Sequence, residues 1–371
     1  MAVSILDLSA LHEPLANQMR ETFNNILATS QFVLGKYTSD FEADLAKACE
    51  CKHAIGVSSG TDALIMSLMA LDIKAGDQVI TSPFTFFATG GSIARVGATP
   101  VFVDIDPVTM NIDPNQIEAA ITPNTKAIIP VHIFGLPADM HAINAIAQKH
   151  GLHVVEDNAQ SVGARIGDKQ IGSMGDIGCL SFYPTKNLSA CGDAGACLTN
   201  DDKLAEKLLS LRLHGQTSQY QHKFIGGNFR IDALHSALLN IKLPYLPTYN
   251  AARRSNAALY AQKLADLPIN LPLPPEGYTH VYHQYTIRVA QEQRDGLVAH
   301  LKANQIGFGV FYPTPLHLQE CFAYLNQSQG TLPHSEKAAK QVLSLPVHPL
   351  LTEAEIDEVC DVIKDFYTQQ V

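Results

Sequence analysis

The stretch HAIGVSSGTDALIMSLMAL, residues 53–71, contains a predicted strand, a short turn and a predicted helix. HAIGV (53–57) is a short apolar run of strand length, and TDALIMSLMAL (61–71) is nearly all apolar and long enough for a buried helix. Because both elements are apolar on every side, the stretch predicts a βα unit in the interior of an α/β protein.

Further βα units follow up to about residue 200. Strands are predicted at QVITSP (78–83), TPVFVDI (99–105), KAIIPVHI (126–133) and LHVVED (152–157), with helices between them. Asp113 is the predicted N-cap of one helix with Pro114 at its first position, and Gly151 ends another. The alternation predicts a mostly parallel sheet between two layers of helices.

The pattern changes after Asp201. Two helices are predicted, in DDKLAEKLLSLRLHG and DALHSALLNIKL, and the two prolines of KLPYLPTYN (242–250) indicate a domain boundary. YHQYTIRV (282–289) and GVFYP (309–313) are predicted strands, a helix is predicted up to about Asn304, and two helices close the chain. We therefore predict a large three-layer α/β domain over residues 1–245, with an N-terminal helical segment, and a smaller α/β domain over residues 246–371.

Composition and charge disfavour several functional classes. The chain has 371 residues, 46% of them apolar, and a formal net charge of −10 without a Lys/Arg-rich run, so we expect no binding to nucleic acid or membranes. No apolar run is long enough to span a bilayer, and the first residues do not resemble a secretory signal. The seven cysteines lack zinc-site spacing, which predicts reduced thiols, a cytoplasmic location and no metal.

The turn in GVSSGTDAL (56–64) is the first candidate site. Free amides of the first helical turn, the positive end of the helix dipole and two serine hydroxyls together can hold an anion. The turn matches neither the P-loop nor the G-x-G-x-x-G pattern, which disfavours a nucleotide cofactor. The alternative interpretation is an ordinary capped turn between a strand and a helix.

Asp157 and Lys186 supply two more candidate groups. Asp157 closes the strand in VVEDNAQSVGA (154–164), where its carboxylate can keep a heteroaromatic nitrogen protonated or can simply cap a turn. Lys186 lies between the apolar run CLSFY and two glycine-rich turns. A desolvated lysine loses its proton more easily and can condense with an aldehyde, whereas most lysines are solvated surface residues.

These three groups together suit one cofactor, pyridoxal 5′-phosphate. It needs an anion cradle, an acid facing its ring nitrogen and a lysine for a Schiff base. SPFTFFATG (82–90) adds Phe84, Phe86 and Phe87, any of which could stack on the ring or belong to the core. Ligands of open parallel sheets bind beyond the carboxyl ends of the strands, where these residues are predicted to lie.

The sequence resembles the DegT/StrS-type sugar aminotransferases, which are fold type I pyridoxal-phosphate enzymes, over nearly its whole length. The resemblance is carried by SSGTDAL, SPFTFFAT, VEDNAQSVGA, SFYPTKNL, GGNFRIDALHSALL and YPTPLHLQ, in that order. It implies that Lys186 is the catalytic Schiff-base lysine and that Asp157 is the catalytic partner of the pyridine nitrogen. Gln160 would hydrogen-bond the ring hydroxyl oxygen, and Phe86 would cover one ring face. The implied phosphate ligands are Gly60, Thr61, Ser181 and, from the neighbouring subunit of a homodimer, Asn228.

The resemblance also implies a reaction. An amino group would pass from glutamate to a keto sugar carried on a nucleoside diphosphate, giving an amino sugar for a polysaccharide or a deoxyamino sugar. Lys186 would act as the general base and acid that moves a proton between the donor carbon and the cofactor carbon. The implied substrate contacts are Arg212, His214, Lys223, Arg230, Tyr312 and His317. Phe311 stands where many relatives have histidine, which puts a polar sugar contact in doubt at this position.

Three other functions are weighed against this one. Sugar 3-dehydratases of the same family have histidine in place of the lysine, so Lys186 argues against that reaction. A non-catalytic cofactor-binding regulator should lack Lys186 or Asp157 or carry a basic DNA-binding segment, and a nicotinamide dehydrogenase should carry a glycine fingerprint. The motif YPTPLHLQ favours a 3-keto substrate, while the aminated carbon and the nucleotide are left open.

Overall fold

The computed structural model describes residues 3–369, in which helices alternate with short strands. The α-helices are α1 (Leu8–His12), α2 (Ala16–Thr29), α3 (Lys36–Ala48), α4 (Gly60–Ala70), α5 (Phe87–Arg95), α6 (Pro114–Ile117), α7 (Met140–His150), α8 (Asp202–Arg212), α9 (Ala233–Lys242), α10 (Leu246–Lys263), α11 (Gln291–Ala303), α12 (Pro333–Gln341) and α13 (Glu353–Thr368). The strands are β1 (His53–Val57), β2 (Gln78–Thr81), β3 (Thr99–Phe102), β4 (Thr125–Ile129), β5 (His153–Asp157), β6 (Arg165–Ile166), β7 (Lys169–Gln170), β8 (Ile177–Ser181), β9 (Gly195–Thr199), β10 (Gln216–Ser218), β11 (Gln221–His222), β12 (Tyr278–Thr279), β13 (Tyr285–Arg288) and β14 (Val342–Leu345).

A seven-stranded sheet forms the centre of the fold, with strand order β1-β9-β8-β5-β4-β2-β3. Strand β9 is antiparallel to both of its neighbours, and the other pairs are parallel, so six of the seven strands run in one direction. The predicted mostly parallel sheet is confirmed. The apolar run CLSFY (179–183) overlaps β8, whereas β9 was not predicted because its glycine, alanine and cysteine carry a weak strand signal.

Helices cover both faces of this sheet. Val79 and Ile80 are successive residues of β2, so their side chains point to opposite faces. Val79 packs in a cluster with residues of α4 and α8, whereas Ile80 packs in a separate cluster with residues of α7. The chain therefore has the three-layer α/β arrangement that the doubly apolar strands predict.

Local capping signals place several helix ends where the sequence predicts them. The Asp113 carboxylate accepts a hydrogen bond from the amide of Asn115, and Pro114 occupies the first position of α6. Gly151 ends α7 in the left-handed conformation, with φ of 64°, which glycine adopts without the penalty that a Cβ brings.

In the C-terminal third, one segment is helical where no helix was predicted, and one predicted strand is wrong. KLPYLPTYN, the predicted domain boundary, is helical: Leu243–Tyr245 forms a short 3₁₀ turn and α10 starts at Leu246. Both prolines fall at the first positions of these elements, where a missing N–H breaks no helical hydrogen bond. GVFYP is not a strand, because only Gly309 forms a bridge, with Ser344, before Phe311 and Tyr312 turn to the cavity described below.

The residues after α9 form most of a separate hydrophobic core cluster. The antiparallel pair β13–β14 packs with α10, α11 and α13, and the rings of Tyr260 and Tyr285 stack 5.0 Å apart. Val3 joins this cluster and accepts a hydrogen bond of 2.7 Å from the amide of Gly307, so the N-terminal segment returns to the C-terminal residues. The domain division between residues 245 and 246 stays a prediction. Within residues 3–369, no helix is both long and apolar enough to cross a membrane.

Candidate active site

A cavity of about 640 Å³ opens where the carboxyl ends of β1, β5 and β8 meet. The cavity is lined by most of the residues that the sequence analysis singled out, namely Gly60, Thr61, Phe86, Asp157, Gln160, Ser181, Lys186 and Tyr312. Since these residues come from five separate segments, the parallel sheet brings most of them together by aligning the ends of its strands.

The cradle at the start of α4 depends on two glycines. A Cβ on Gly60 would lie 2.7 Å from Ser181 Cβ, and a Cβ on Gly195 would lie 2.7 Å from the amide nitrogen of Gly60. Ser59 caps the helix, because its hydroxyl accepts the Asp62 amide hydrogen bond at 3.0 Å. The first amides of a helix have no partner within that helix, so those of Gly60 and Thr61 can bind an anion beside the Ser181 hydroxyl.

Asp157 is buried at the end of β5 and is held in one orientation. Thr89 Oγ1 donates to its Oδ2 at 2.7 Å, and the amide of Ala159 donates to its Oδ1 at 3.2 Å. Burial raises the pKa of this carboxyl, while the Thr89 hydrogen bond acts in the opposite direction. A cationic ring nitrogen beside Asp157 would favour its ionised form, since a buried carboxylate is stabilised by an adjacent positive charge.

The orientation of the Gln160 side chain follows from its hydrogen bonds. Its Oε1 accepts from the backbone amide of Phe134 at 2.7 Å, so its Nε2 group must be the end that reaches Tyr312. Nε2 donates to the Tyr312 hydroxyl at 3.1 Å. Gln160 therefore presents a hydrogen-bond donor to the cavity, as a contact with a ring hydroxyl oxygen requires.

Lys186 is half-buried because the open cavity reaches its side chain. Burial of the amine lowers its pKa to about 8, although the negative charge of Asp157 acts in the opposite direction. An amine with a pKa of about 8 is neutral in roughly one molecule in ten at pH 7, whereas an ordinary lysine is almost fully protonated. The neutral amine is the nucleophile that adds to an aldehyde.

This pKa predicts how the cofactor-free protein reacts with pyridoxal 5′-phosphate. Only the neutral form of Lys186 adds to the aldehyde, so the rate should rise about tenfold per pH unit below pH 8 and level off above it. Stopped-flow absorbance of the visible cofactor band would measure the rate between pH 6 and pH 10. A midpoint near the ordinary lysine pKa would contradict the prediction.

Four predicted residues lie away from the cavity of their own subunit. Asn228, His214 and Lys223 are exposed, Arg230 is half-buried, and all four belong to the segment that follows α8. The Lys223 ammonium lies 5.4 Å from the centre of the Phe224 ring, and the His214 carbonyl is 3.0 Å from His222 Nδ1. Their roles in phosphate or substrate binding stay predictions, since the predicted site for this segment belongs to a neighbouring subunit.

The structure does not support Arg212 and His317 as substrate contacts. Arg212 is buried, with Nη1 donating to Glu42 Oε1 and to the carbonyl of Gly56. His317 is buried with its Nε2 at 3.2 Å from Glu336 Oε1. Both side chains are occupied inside the protein and lie outside the cavity lining, because the helical segments that carry them direct them into the core.

Thr89, Arg253 and His283 also contribute to the site, and the sequence did not predict them. Thr89 lies one helical turn after Thr85, and their hydroxyls are 3.0 Å apart beside Asp157. Arg253 and His283 line the cavity from α10 and from the segment before β13. A threonine one turn beyond an aromatic stretch gives a weak signal, and neither Arg253 nor His283 belongs to a motif, so only the folded chain identifies them.

The residues present fit pyridoxal 5′-phosphate. The Gly60 cradle would be filled by a single Cβ, Asp157 is buried and oriented, Gln160 offers a donor, and Lys186 has a lowered pKa. Phe86 has 57% of its surface exposed and lies at the cavity wall, where a flat ring can cover it. A metal centre receives no such support, since residues 3–369 contain no suitable group of three or more His, Cys, Asp or Glu side chains.

Comparison with known proteins gives relatives along nearly the whole chain. The DegT/DnrJ/EryC1/StrS aminotransferase family model matches residues 14–364. A pleiotropic regulatory protein of Geobacillus stearothermophilus is 49% identical over 99% of both chains. A UDP-N-acetyl-3-dehydro-alpha-D-glucosamine 3-aminotransferase of Acidithiobacillus ferrooxidans is 46% identical, over 98% of this chain and 97% of its own.

A solved structure matches the fold closely. NtdA from Bacillus subtilis, with bound cofactor PMP, superposes with a TM-score of 0.94 at 35% sequence identity. The match covers 99% of this chain and 86% of NtdA.

Proposed function

The chain belongs to the DegT/DnrJ/EryC1/StrS aminotransferase family, and on that basis we propose that it aminates a keto sugar carried on a nucleoside diphosphate. The chain is a pyridoxal-phosphate-dependent aminotransferase with a three-layer α/β fold. The proposed reaction gives an amino sugar, with glutamate as amino donor, for a polysaccharide or a deoxyamino sugar. The observation that carries the proposal is the arrangement of Lys186, Asp157 and the Gly60 cradle around one cavity.

Seven of the cavity residues have a proposed role in holding the cofactor. Lys186 would bind the aldehyde carbon of the cofactor covalently, and the Asp157 carboxylate would pair with the ring nitrogen. Gln160 would donate to the ring hydroxyl oxygen, and Phe86 would lie on one ring face. The phosphate would bind to the amides of Gly60 and Thr61 and to the Ser181 hydroxyl, which meet at the start of α4.

Two residues would perform the proton chemistry. When bound, pyridoxal 5′-phosphate takes up the electron pair that is left when the donor carbon loses its proton. Lys186 Nζ would remove that proton and return it to the cofactor carbon, since its lowered pKa leaves a useful fraction of neutral amine. Asp157, fixed by Thr89, would keep the ring nitrogen protonated.

The same residues favour catalysis over the two other functions considered within this fold. A 3-dehydratase would need histidine in place of Lys186. A cofactor-binding regulator would not need the Thr89–Asp157 hydrogen bond or a lysine with a lowered pKa. The regulatory name of the Geobacillus relative belongs to that protein.

We also propose that two copies of the chain form a homodimer with shared sites. Exposed apolar side chains support an interface, namely Phe23, Phe32 and Val33 before α3, and Tyr220 and Ile225 near β10–β11. Asn228 is exposed and follows this second group along the chain, which supports the proposed contact with a neighbouring subunit. Light scattering should give about twice the chain mass of 40.3 kDa, and a mass of one chain would contradict the dimer.

The proposed location is the cytoplasm. All seven cysteines are free thiols, four of them buried, and free thiols are kept in that form in a reducing compartment. Fractionation of cells that express the full chain would test the location, and recovery outside the cytoplasmic fraction would contradict it.

The function is tested with purified protein loaded with pyridoxal 5′-phosphate. L-glutamate should bleach the visible cofactor band and produce a near-ultraviolet band, and a nucleotide-linked keto sugar should restore the first band. Mass spectrometry should find the corresponding amino sugar. A protein that glutamate bleaches but that no keto sugar restores would contradict the proposed substrate class.

A further inference from the structure

The cavity contains a positive charge that the proposed reaction has not used. Arg253 is 4% exposed and lines the cavity from α10. Asn250, Arg253, Asn256 and Ala257 lie on the buried face of this helix, as their spacing of three and four residues requires. Asn250 and Asn256 each donate to a backbone carbonyl, of Val162 and His348 respectively.

The guanidinium of Arg253 has few partners for a buried group. Nη1 donates to the carbonyls of Tyr282 at 3.0 Å and His283 at 3.5 Å, and Nε is buried without a partner among residues 3–369. Burial lowers its pKa to about 10, and no acidic side chain among the described residues 3–369 opposes this shift. Arg253 therefore stays cationic at neutral pH without a carboxylate to balance it, which is costly inside a protein.

The position of this charge relative to Lys186 indicates which anion it would bind. Lys186 and Arg253 both line the main cavity and a second, smaller pocket next to it, and both lower the pKa of His283, for which burial is the main cause. The smaller pocket is not lined by the phosphate cradle residues Gly60, Thr61 and Ser181. Arg253 therefore belongs to the end of the cavity where the amine is exchanged.

We propose that Arg253 binds the α-carboxylate of the amino donor. An α-amino acid carries this carboxylate on the carbon that bears its amine, so a donor whose amine takes the place of Lys186 Nζ brings the carboxylate to the same end of the cavity. The diphosphate of a nucleotide sugar is attached to the anomeric carbon, away from the keto carbon. The inference rests on the proposed function only in taking an amino acid as donor.

Binding of glutarate, which has the two carboxylates of glutamate but no amine, gives a readout that does not depend on catalysis. Isothermal titration of the cofactor-loaded protein should show that Arg253→Gln weakens glutarate binding roughly 10- to 100-fold, the usual effect of losing hydrogen bonds to a charged group. Arg253→Lys should lose less, since it keeps the charge but not the planar pair of donors. Arg254→Gln is the matched control, because Arg254 is the next residue of α10, is half-buried and does not line the cavity, and it should bind like the wild type.

Rate measurements with different substrates show whether Arg253 binds the α-carboxylate of the donor or another negatively charged group. Arg253→Gln should slow the reaction with L-glutamate but not with 4-aminobutyrate, whose amine-bearing carbon has no carboxylate. The variant loaded with pyridoxamine phosphate should lose far less in amination of the keto sugar than in the glutamate reaction, because that half of the reaction uses no amino acid. Retention of the cofactor band and of the melting temperature in Arg253→Lys checks that the fold survives.

Three results would overturn the assignment: unchanged glutarate binding in Arg253→Gln, no glutarate binding by the wild type, or equal losses in both halves of the reaction. Equal losses would mean that Arg253 only holds Tyr282 and His283 in place. If the wild type aminates no nucleotide keto sugar, the proposed sugar substrate fails, and the glutarate and 4-aminobutyrate results still decide the role of Arg253.

Discussion

A Lys186→Ala variant is expected to lose glutamate-dependent transamination by at least roughly 10²- to 10⁴-fold, the usual contribution of a general acid–base group. Lys186 carries two proposed roles, covalent attachment of the cofactor and proton transfer, so this is the largest effect that we expect from one substitution. The rate is measured as bleaching of the visible cofactor band after addition of L-glutamate. The variant should still bind the cofactor through the Gly60 cradle and Asp157, which the substitution leaves intact.

Borohydride reduction of the loaded wild type provides the control within the same chain. Reduction should fix the cofactor on the peptide that contains Lys186, and mass spectrometry should locate it there. Lys242 is the matched lysine, because burial lowers its pKa as it lowers that of Lys186. Its ammonium donates to the Ser189 carbonyl at 2.8 Å and lies outside the lining of the main cavity, so it should stay unlabelled. Label on Lys242 or undiminished activity in Lys186→Ala would refute the assignment.

An Asp157→Asn variant is expected to bind the cofactor and to lose roughly 10²- to 10³-fold in the rate of the glutamate reaction. Removing one partner of a buried ion pair costs about 3–5 kcal/mol, and the protonated ring nitrogen would be the other partner here. Because asparagine keeps the shape of the side chain, the loss would report on charge. Stopped-flow absorbance with saturating glutamate measures the rate. An Asp157→Asn rate within a few-fold of the wild type would contradict the role of Asp157 as the charged partner of the ring nitrogen.

Thr89 gives a graded test of the same site. Thr89→Val removes the hydroxyl that donates to Asp157 Oδ2 but leaves the carboxylate in place, so it should slow the reaction by about tenfold or somewhat more. Thr89→Ser keeps a hydroxyl and should stay close to the wild type. If both substitutions have the same effect, the hydrogen bond does not position Asp157.

The sequence determined the βα units of this protein with little help from tertiary context. Doubly apolar strands such as HAIGV, an N-cap at Asp113 and a left-handed glycine at Gly151 are local features, and they lie where the sequence predicts. Lys186, Asp157 and Gln160 could be named from the sequence because each lies in a motif, and the order of these motifs along the chain is the one that carries the family resemblance. The aminotransferase family follows from the same motifs.

Sequence-based predictions were ambiguous where a local pattern fits two structural environments equally well. Pro244 and Pro247 are typical of a domain boundary, yet the first turn of a helix accepts proline equally well, and here they begin helical elements. Arg212 and His317 are ordinary candidates for binding a charged substrate, and burial beside Glu42 and Glu336 gives them other partners. A single residue type does not reveal which face of an element the core will cover.

Only the tertiary structure decided which residues meet in the site, how deeply they are buried and which hydrogen bonds they form. Five separate segments converge because the parallel strands end at one edge of the sheet, and this convergence gives Asp157 its hydrogen bond from Thr89 and lowers the pKa of Lys186. The same packing buries Arg253 without an acidic partner. Distances between segments, burial and electrostatic fields depend on the whole fold, so the sequence named the chemical groups and the structure determined what they can do.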